Sequence, residues 1–302
     1  MKLCLVGCGR WGKAYLETIK KINSINVDSI VLRKSIPKIN ESYNFSYNLD
    51  TLLDKRDIDG VIIVSPPETH LELAKICIKH RKPVLIEKPF TNSYEQSNFL
   101  KEEFYKNQLA CMVGYQHLFS EKYKLLKSHI SKIGKIKNIH SISINDGPIR
   151  KNTTVIRDWG SHEVALAIDL FDDFPKSIKI NKIDKFYTNY YRGLYKLSIQ
   201  FSNQRQFNSL FGNQSSVKKN QIIVEYDNGL VYQDNLSQSG NVIICDNKFF
   251  NLENIIQLQC SPLECSIKEF QNTIQKNKLS TNIDLSVNVN KILDQLESKI
   301  TK

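Results

Sequence analysis

The chain has 302 residues, of which 41% are hydrophobic and 24% are charged, and its formal net charge is +11. A chain of this length can bury a large core, and the length suits two domains better than one. No stretch reaches the roughly 18 unbroken apolar residues that a membrane-spanning helix needs, and the opening ten residues are too rich in glycine for a signal peptide. We therefore expect a soluble, cytoplasmic protein with no membrane partner.

The positive charge does not by itself predict a nucleic-acid partner. Lysine and arginine are spread along the whole chain, so they form no local electrostatic footprint, and no basic-aromatic motif of the RNA-binding kinds is present. A milder alternative is that some of the charge attracts an anionic substrate. The seven cysteines include no C-x-x-C pair, which predicts reduced thiols and argues against disulfides and a metal site.

The first half of the chain alternates between strand-like and helix-like segments. Apolar strands are predicted at 2–6, 27–32, 60–65, 83–87 and 109–115, and helices at 12–23, 48–57, 68–80 and 94–106. Strands that alternate with helices form βαβ units and a parallel sheet. We predict that residues 1–118 form an α/β domain of the Rossmann type, with a doubly wound parallel sheet.

The second half has a different pattern. After a helix and a strand at 136–146 comes a helix at 155–171, and then strand-like segments at 176–183, 194–202, 207–213, 220–229, 230–234 and 241–247. Consecutive strands joined by polar turns such as Asp227-Asn228-Gly229 indicate antiparallel pairing. Two helices, near 267–275 and 287–299, close the chain. We predict that residues 119–302 form an α+β domain with a large, mostly antiparallel open sheet.

The segment "VGCGRWG" carries Gly7, Gly9 and Gly12 in G-x-G-x-x-G spacing. It follows the first strand and opens a helix, which is the context that predicts dinucleotide binding rather than an ordinary turn. The first glycine permits the tight turn, the second the approach of a pyrophosphate, and the third helix–strand packing. The helix N-terminus favours the anion. The intervening residues Cys8, Arg10 and Trp11 complete the predicted contacts of this loop.

The end of the second strand bears on which dinucleotide binds. An NAD site usually places an acid there, whereas this chain has Arg33, Lys34 and Ser35, with Asp28 at the opposite end of the strand. Two cations and a hydroxyl accommodate a 2′-phosphate, because arginine binds it in a forked, charge-assisted way. We favour NADP over NAD. The alternative is that these are solvated loop residues.

Several further motifs occur in a characteristic order. They are "GVIIVSPPETH" at 60–70, "KPVLIEKPF" at 82–90, "VGYQHLFSEKY" at 113–123, "DWGSH" at 158–162 and "SPLECSIKEF" at 261–270. Together with the glycine motif they resemble the glucose–fructose oxidoreductase, inositol dehydrogenase and MocA family (Gfo/Idh/MocA) over nearly the whole chain. The resemblance implies an NAD(P)-dependent oxidoreductase that acts on CH–OH groups of sugars or sugar-like polyols.

In that family the lysine of the E-K-P motif reaches the substrate beside the nicotinamide, and it corresponds to Lys88. Because a residue before proline is restricted to an extended backbone, Lys88 should project stiffly from the strand end. By the same resemblance, Glu87 helps to hold the cofactor and the lysine. The resemblance adds Ser65, Pro66, Pro67 and His70 to the cofactor-binding residues. Gln116 is a further cofactor-binding candidate, at a place where relatives often carry arginines. For His70 the alternative is a helix residue that faces solvent.

A second candidate pair is Asp158 and His162. At i and i+4 on one helix the two side chains would share a face, about 5–6 Å apart at Cβ; the alternative for Asp158 is a helix N-cap. The resemblance implies that this pair forms a triad with Lys88. His162 would take the proton of the hydroxyl, for which imidazole suits neutral pH, and Asp158 would orient it. Tyr115, His117 and Tyr123 are further substrate-binding candidates, although Tyr123 could instead be a core residue.

The resemblance narrows the substrate class slightly. Trp11 in G-x-G-x-W-G and the "SPL" at 261–263 look like the branch of the family that acts on nucleotide-linked sugars, which suggests a role in polysaccharide biosynthesis; the alternative is that Trp11 packs on the loop. Free aldoses, inositols or another small carbonyl compound are alternative substrates. A non-catalytic NAD(P)-binding sensor is an alternative of another class. By resemblance, we expect a homodimer or homotetramer that associates through the C-terminal sheet.

Overall fold

The computed structural model describes residues 1–33, 43–128, 133–150, 153–183, 191–237, 242–245, 248–251, 260–279 and 282–300. The chain divides into two compact units: residues 1–119 with 261–290, and residues 120–260 with 291–302. The sequence had placed everything after 118 in one domain, so residues 261–290 differ from that expectation. One reason is that Asn282 bonds both backbone groups of Val113, at 2.9 and 2.8 Å, in an edge strand of the first unit.

The first unit contains a six-stranded sheet of order β3-β2-β1-β4-β5-β6 in which every pairing is parallel. The strands are β1 Lys2–Val6, β2 Asn26–Val31, β3 Asn44–Ser46, β4 Gly60–Ile63, β5 Val84–Glu87 and β6 Cys111–Gly114. Strands β4, β5 and β6 are buried throughout, which explains their unbroken apolar runs. The strand order reverses between β1 and β4, and such a switch point is where open α/β sheets bind ligands.

The helices, in chain order, are α1 Arg10–Ile19, α2 Leu49–Lys55, α3 His70–Lys79, α4 Tyr94–Lys106, α5 Glu121–Ser128, α6 Ser161–Phe171, α7 Pro262–Gln275 and α8 Ile283–Ile300. Side chains cap several of them: the oxygens of Asn48, Ser93 and Ser261 accept from the backbone of α2, α4 and α7. Within the described ranges, no helix has both the length and the apolar character needed to cross a membrane.

The second unit contains an eight-stranded sheet of order β14-β13-β12-β11-β7-β10-β9-β8. Its strands are β7 Ile136–Asp146, β8 Ser177–Lys182, β9 Leu194–Gln200, β10 Gln206–Gly212, β11 Gln214–Tyr226, β12 Gly229–Asp234, β13 Val242–Cys245 and β14 Lys248–Asn251. Only the β10–β7 pairing is parallel among the pairings of the described strands. The predicted fold class, a Rossmann domain followed by a mostly antiparallel sheet, is confirmed.

The cysteines agree with expectation only in part. Cys4, Cys77 and Cys111 are free and buried, as small core residues should be. Burial raises the pKa of the Cys4 thiol to about 12. Cys260 and Cys265, however, are disulfide-bonded, so the expectation that all the thiols are reduced was wrong.

Candidate active site

The glycine loop after β1 has the geometry that a dinucleotide requires. Gly7 has φ of +98°, a left-handed conformation that favours glycine. A Cβ on Gly12 would lie 2.3 Å from the carbonyl oxygen of Gly7, so no side chain fits there. At Gly9, by contrast, a Cβ would meet no described atom within 4 Å, which leaves its backbone open to a ligand. These residues fit a bound pyrophosphate in the manner expected of the motif.

Helix α1 begins at Arg10 directly after this loop. Its cap residue, Gly9, supplies no side-chain acceptor for the first amides, unlike the caps of α2, α4 and α7 among the described helices. Amides at a helix N-terminus attract anions. Trp11 is 40% exposed at this end of the helix, and Cys8 is a half-buried free thiol whose pKa is raised by burial. Arg10 is exposed as well, so each of the three predicted residues between the glycines keeps some exposed surface.

The residues that bear on the choice of dinucleotide are only partly described. Arg33 is exposed, two residues beyond the end of β2. Lys34 and Ser35 lie outside the described residues. Asp28 lies within β2 and pairs with Arg56 at 3.3 Å, so this acid is engaged away from the carboxyl end of the strand.

The segment after β4 brings together Ser65, Pro66, Pro67 and His70. The hydroxyls of Ser65 and Thr69 are hydrogen-bonded at 2.6 Å around a short 3₁₀ turn, Pro67–Thr69. His70, the first residue of α3, is fully buried, so the alternative that it faces solvent was wrong. Its Nε2 lies 2.9 Å from the carbonyl oxygen of Ser65, and its Nδ1 lies 3.0 Å from that of Pro89. Burial lowers the pKa of His70, which favours the neutral ring.

Lys88 follows β5 and is half-buried, with a cis peptide bond to Pro89. The preceding Glu87 is turned into the core, where its Oε1 accepts from the hydroxyl of Tyr15 at 2.7 Å and from the amide of Gln116 at 2.6 Å. Its other oxygen accepts from the Lys88 amide at 3.2 Å. Burial raises the pKa of Glu87. Glu87 and Gln116 thus bond each other, and the cofactor contacts expected of them stay a prediction.

Tyr15 was not among the predicted site residues. Its place on the apolar face of α1 indicated only packing, and its hydroxyl finds Glu87 across 72 positions of sequence. The same face of the helix does bury the tyrosine ring completely. A buried tyrosine hydroxyl usually needs a hydrogen-bond partner. The predicted burial of Tyr15 was therefore the one signal that its hydroxyl bonds another buried polar group.

The three aromatic candidates for substrate binding differ in exposure. Tyr115 is fully buried at the end of β6, and burial raises its pKa. His117 is half-buried in the turn Gln116–Phe119 and packs edge-on against Tyr115, with ring centroids 6.3 Å apart. Tyr123 is buried in α5, and its hydroxyl donates to Asp169. Tyr123 therefore occupies the core, as its alternative interpretation held, and of the three only His117 keeps appreciable exposure.

In the second unit, Asp158 and His162 lie on one continuous helical segment. A π-helical turn, Ile156–Gly160, runs directly into α6, and Gly160 rather than Asp158 holds the cap position of that helix. The N-cap alternative for Asp158 was therefore wrong. The Asp158 carboxylate pairs with the Arg150 guanidinium at 3.0 Å, a partner that the sequence did not predict.

Buried and half-buried contacts fix this helical segment on both sides of Asp158 and His162. Arg157 bonds Glu297 at 2.8 Å and also pairs with Asp294, both on α8. Glu163 is a buried residue of α6. Its carboxylate accepts a hydrogen bond from the hydroxyl of Ser209 on β10 at 2.7 Å, and burial raises its pKa. Glu163 was also missed, because its position beside His162 gives no signal of which way it points.

Comparison with known proteins adds to this geometry. Residues 1–115 match a family described as "Oxidoreductase family, NAD-binding Rossmann fold" (GFO_IDH_MocA). Inositol 2-dehydrogenase 1 of Mycolicibacterium vanbaalenii is 35% identical over 140 residues, which is 44% of this chain and 40% of that protein. 4-Carboxy-2-hydroxymuconate-6-semialdehyde dehydrogenase of Sphingobium sp. is 27% identical over 135 residues, 43% of each chain. These matches span less than half the length of the curated relatives.

The likeness to solved structures extends further along the chain. UDP-N-acetylglucosamine 3-dehydrogenase GnnA from Acidithiobacillus ferrooxidans has a TM-score of 0.83 and covers 99% of this chain, and the match spans 97% of that protein. The sequence identity is 16%, so the match is evidence for a shared fold. The fold of both units is therefore found in known dehydrogenases.

Proposed function

We propose that the chain is an oxidoreductase of the Gfo/Idh/MocA type, because residues 1–115 match that family and both units share the fold of a known dehydrogenase. In this proposal it transfers a hydride between a nicotinamide dinucleotide and a CH–OH group of a sugar or sugar-like polyol. The observation that carries the proposal is the glycine loop. Its first and third glycines are required by backbone conformation and packing, while Gly9 leaves an open approach at the N-terminus of α1. That combination suits a pyrophosphate.

The proposed chemistry assigns one role to each reactive side chain. Lys88 polarises the reacting oxygen, and His162 takes the hydroxyl proton as general base. Asp158 orients the imidazole of His162. The nicotinamide of the bound dinucleotide would accept the hydride that leaves the carbon bearing this hydroxyl. In the reductive direction His162 returns the proton to the carbonyl oxygen, so protons and electrons balance in both directions.

For the substrate, we propose a nucleotide-linked sugar of a polysaccharide pathway first and a free polyol second. The exposed Trp11 beside the glycine loop and the fold shared with a UDP-N-acetylglucosamine dehydrogenase support the first. The identity to an inositol 2-dehydrogenase, which is higher although confined to part of the chain, supports the second. A non-catalytic sensor needs none of Lys88, Asp158 and His162, and their joint presence favours an enzyme.

The first test is a binding titration of the purified protein with NADPH and with NADH. We propose that NADP is the cofactor because the exposed Arg33 follows β2, while Asp28 is engaged by Arg56. Arg33→Ala should weaken NADPH binding about 10-fold, as expected for one lost charge-assisted hydrogen bond, and leave NADH binding unchanged. Lys20→Ala is the matched control, since Lys20 is a cation of the same unit that pairs with Glu17.

The outcomes of this titration separate two claims. Equal weakening of both dinucleotides in Arg33→Ala, or tighter binding of NADH by the unaltered protein, would remove the NADP preference alone. Failure of both dinucleotides to bind would remove the dehydrogenase proposal itself. Gly9→Ala gives an internal check. The added Cβ would have no described atom within 4 Å, so the variant should fold, while its binding of either dinucleotide should weaken.

The second test is turnover, followed by the absorbance of the reduced nicotinamide. A UDP-sugar, a free aldose and an inositol serve as the three substrate classes. His162→Gln should lower kcat by about 10²- to 10⁴-fold, the range for a lost acid–base group. Lys88→Met should lower it by about 10²- to 10³-fold, the range for a lost electrostatic stabiliser, and both variants should leave the Kd of the dinucleotide unchanged. Tight dinucleotide binding with no turnover of any class would favour the sensor instead.

Assembly is a separate proposal. We expect a homodimer or homotetramer formed through the open sheet of the second unit, as the family resemblance implies. Light scattering of the purified protein measures the particle mass, and a particle of a single chain would contradict this expectation.

A further inference from the structure

His70 joins the two loops that follow neighbouring strands of the parallel sheet. Its fully buried ring lies between Ser65, two residues after β4, and the segment Pro89–Phe90, which follows β5. Strands β4 and β5 are paired in parallel, so both loops leave the carboxyl edge of the sheet. The ring nitrogens lie 2.9 Å from Ser65 O, and 3.0 and 3.3 Å from Pro89 O and Phe90 O.

The number of protons decides which of these contacts is a hydrogen bond. Carbonyl oxygens only accept, and a neutral imidazole carries a single N–H. Burial favours the neutral ring of His70 by lowering its pKa. The Nδ1 atom faces two acceptors, Pro89 O and Phe90 O, whereas Nε2 faces one. The tautomer with the proton on Nδ1 therefore makes the more favourable hydrogen bonds, and its N–H points at the turn after Lys88.

The rest of that turn is also held by buried contacts. The amide of Lys88 donates to Glu87, and the side-chain amide of Asn290 donates to the carbonyl and the hydroxyl of Thr91, each at 3.1 Å. Phe90 is fully buried. The backbone on both sides of Pro89 thus has fixed partners, and His70 contacts the carbonyl oxygen of Pro89 itself.

We propose that His70 is a positioning residue: through Nδ1–H it holds the carbonyl groups of Pro89 and Phe90 and thereby sets where the Lys88 side chain lies. This inference rests on the proposed role of Lys88 in polarising the reacting oxygen. It differs from the cofactor-lining role expected of His70, since a fully buried ring presents no surface to a dinucleotide.

Two substitutions separate the contacts of the ring. In His70→Asn the amide nitrogen stands near the position of Nδ1 and keeps a donor for Pro89 and Phe90. In His70→Gln the amide nitrogen stands near Nε2 and keeps only the Ser65 contact. We expect His70→Gln to lower kcat by about 10- to 100-fold, because small displacements of a positioned group have effects of that size, with the Kd of the dinucleotide unchanged. His70→Asn should keep kcat within about threefold of the unaltered protein on the same argument.

His80→Gln is the matched control, because His80 caps the other end of α3 and pairs with Asp50 at 2.6 Å. It should leave kcat unchanged. Equal kcat in His70→Gln and His70→Asn, or loss only in His70→Asn, would overturn the inference.

A readout that does not require turnover keeps this inference separate from the proposed function. Reductive methylation with ¹³C-formaldehyde labels the lysines, and the Lys88 signal is the one that disappears in Lys88→Arg. Its chemical shift should change in His70→Gln and stay unchanged in His70→Asn and His80→Gln. An unchanged Lys88 signal in His70→Gln overturns the inference, whereas absent turnover with a changed signal overturns only the proposed function.

A measurement on the unaltered protein covers the case in which the His70 variants fail to fold. In ¹⁵N-histidine-labelled protein, the nitrogen shifts of the His70 ring distinguish the two neutral tautomers. We expect the proton on Nδ1. A ring protonated at Nε2 alone would leave the Pro89 and Phe90 carbonyls without a donor from His70, and would overturn the inference.

Discussion

Each unit places a buried acid next in sequence to a candidate catalytic residue. Glu87 precedes Lys88 at the end of β5, and Glu163 follows His162 at the start of α6. Burial raises the pKa of both acids. In each case the acid bonds inward, while its neighbour remains half-exposed. The arrangement anchors the backbone beside a side chain that keeps part of its surface exposed.

The two acids differ in what donates to them. Glu87 accepts from three donors on separate segments: the hydroxyl of the fully buried Tyr15, the side-chain amide of Gln116 and the backbone N–H of Lys88. Glu163 accepts from the hydroxyls of Ser209 and Ser141, which can rotate to other acceptors. Loss of Glu87 should therefore leave more unsatisfied polar groups than loss of Glu163.

The largest expected effect follows directly from that difference. Glu87→Ala should lower the free energy of unfolding of the first unit by about 3 kcal/mol, since a buried donor without an acceptor costs about 1–3 kcal/mol and a cavity adds to this. Glu163→Ala should lower that of the second unit by about half as much, because rotating hydroxyls find substitutes. Urea unfolding measures both values.

The chain offers one tryptophan in each unit for this measurement, Trp11 and Trp159. Trp159→Phe leaves fluorescence that reports on the first unit, and Trp11→Phe leaves fluorescence that reports on the second. Equal losses for the two alanine variants would show that the number and kind of donors do not set the stability of these segments.

The pH dependence of stability sharpens the same comparison. An acid whose pKa is raised on folding keeps its proton in the folded state at pH values where the unfolded chain is ionised. The folded state then binds more protons, so stability falls as pH rises from the ordinary value of 4.5 towards the raised pKa. Glu87→Gln and Glu163→Gln remove this titration and should flatten the fall in their own unit.

The measurement is the free energy of unfolding across pH 4–8, approximate bounds that bracket the ordinary pKa and neutrality, as a difference between each variant and the unaltered protein. Taking the difference cancels the acids with lowered pKa, such as Asp173 and Asp227, whose contribution has the opposite sign. Parallel profiles for the variant and the unaltered protein would mean that the pKa of the acid is the same in the folded and unfolded states.

The fold could be predicted from the sequence because its evidence is local. Buried parallel strands appear as unbroken apolar runs, and the glycine spacing specifies a backbone that only glycine allows at Gly7 and Gly12. The return of residues 261–290 to the first unit could not be predicted in this way. It depends on pairings such as Asn282 with Val113, 169 positions apart, which no local pattern encodes.

The candidate site could be predicted less completely for the same reason. The motifs indicated where Lys88, Asp158 and His162 lie along the chain, but not which way their neighbours turn. The burial of His70, the Glu87–Tyr15 bond and the Asp158–Arg150 pair each depend on a partner outside the motif. The orientation of a side chain is set by such partners, so it required the structure.

The smallest expected effect concerns the one of these contacts that is partly exposed. The Arg150 and Asp158 side chains are 42% and 13% exposed, so the pair is screened by solvent. Arg150→Gln should lower the free energy of unfolding of the second unit by about 0.5 kcal/mol at low salt, and the difference should vanish as salt rises. Arg150→Lys keeps the charge and should retain most of the effect. A salt-independent loss above about 2 kcal/mol would instead show that Asp158 is left as an uncompensated buried charge. The helical segment that carries Asp158 and His162 would then depend on buried partners as much as the turn after Lys88 does.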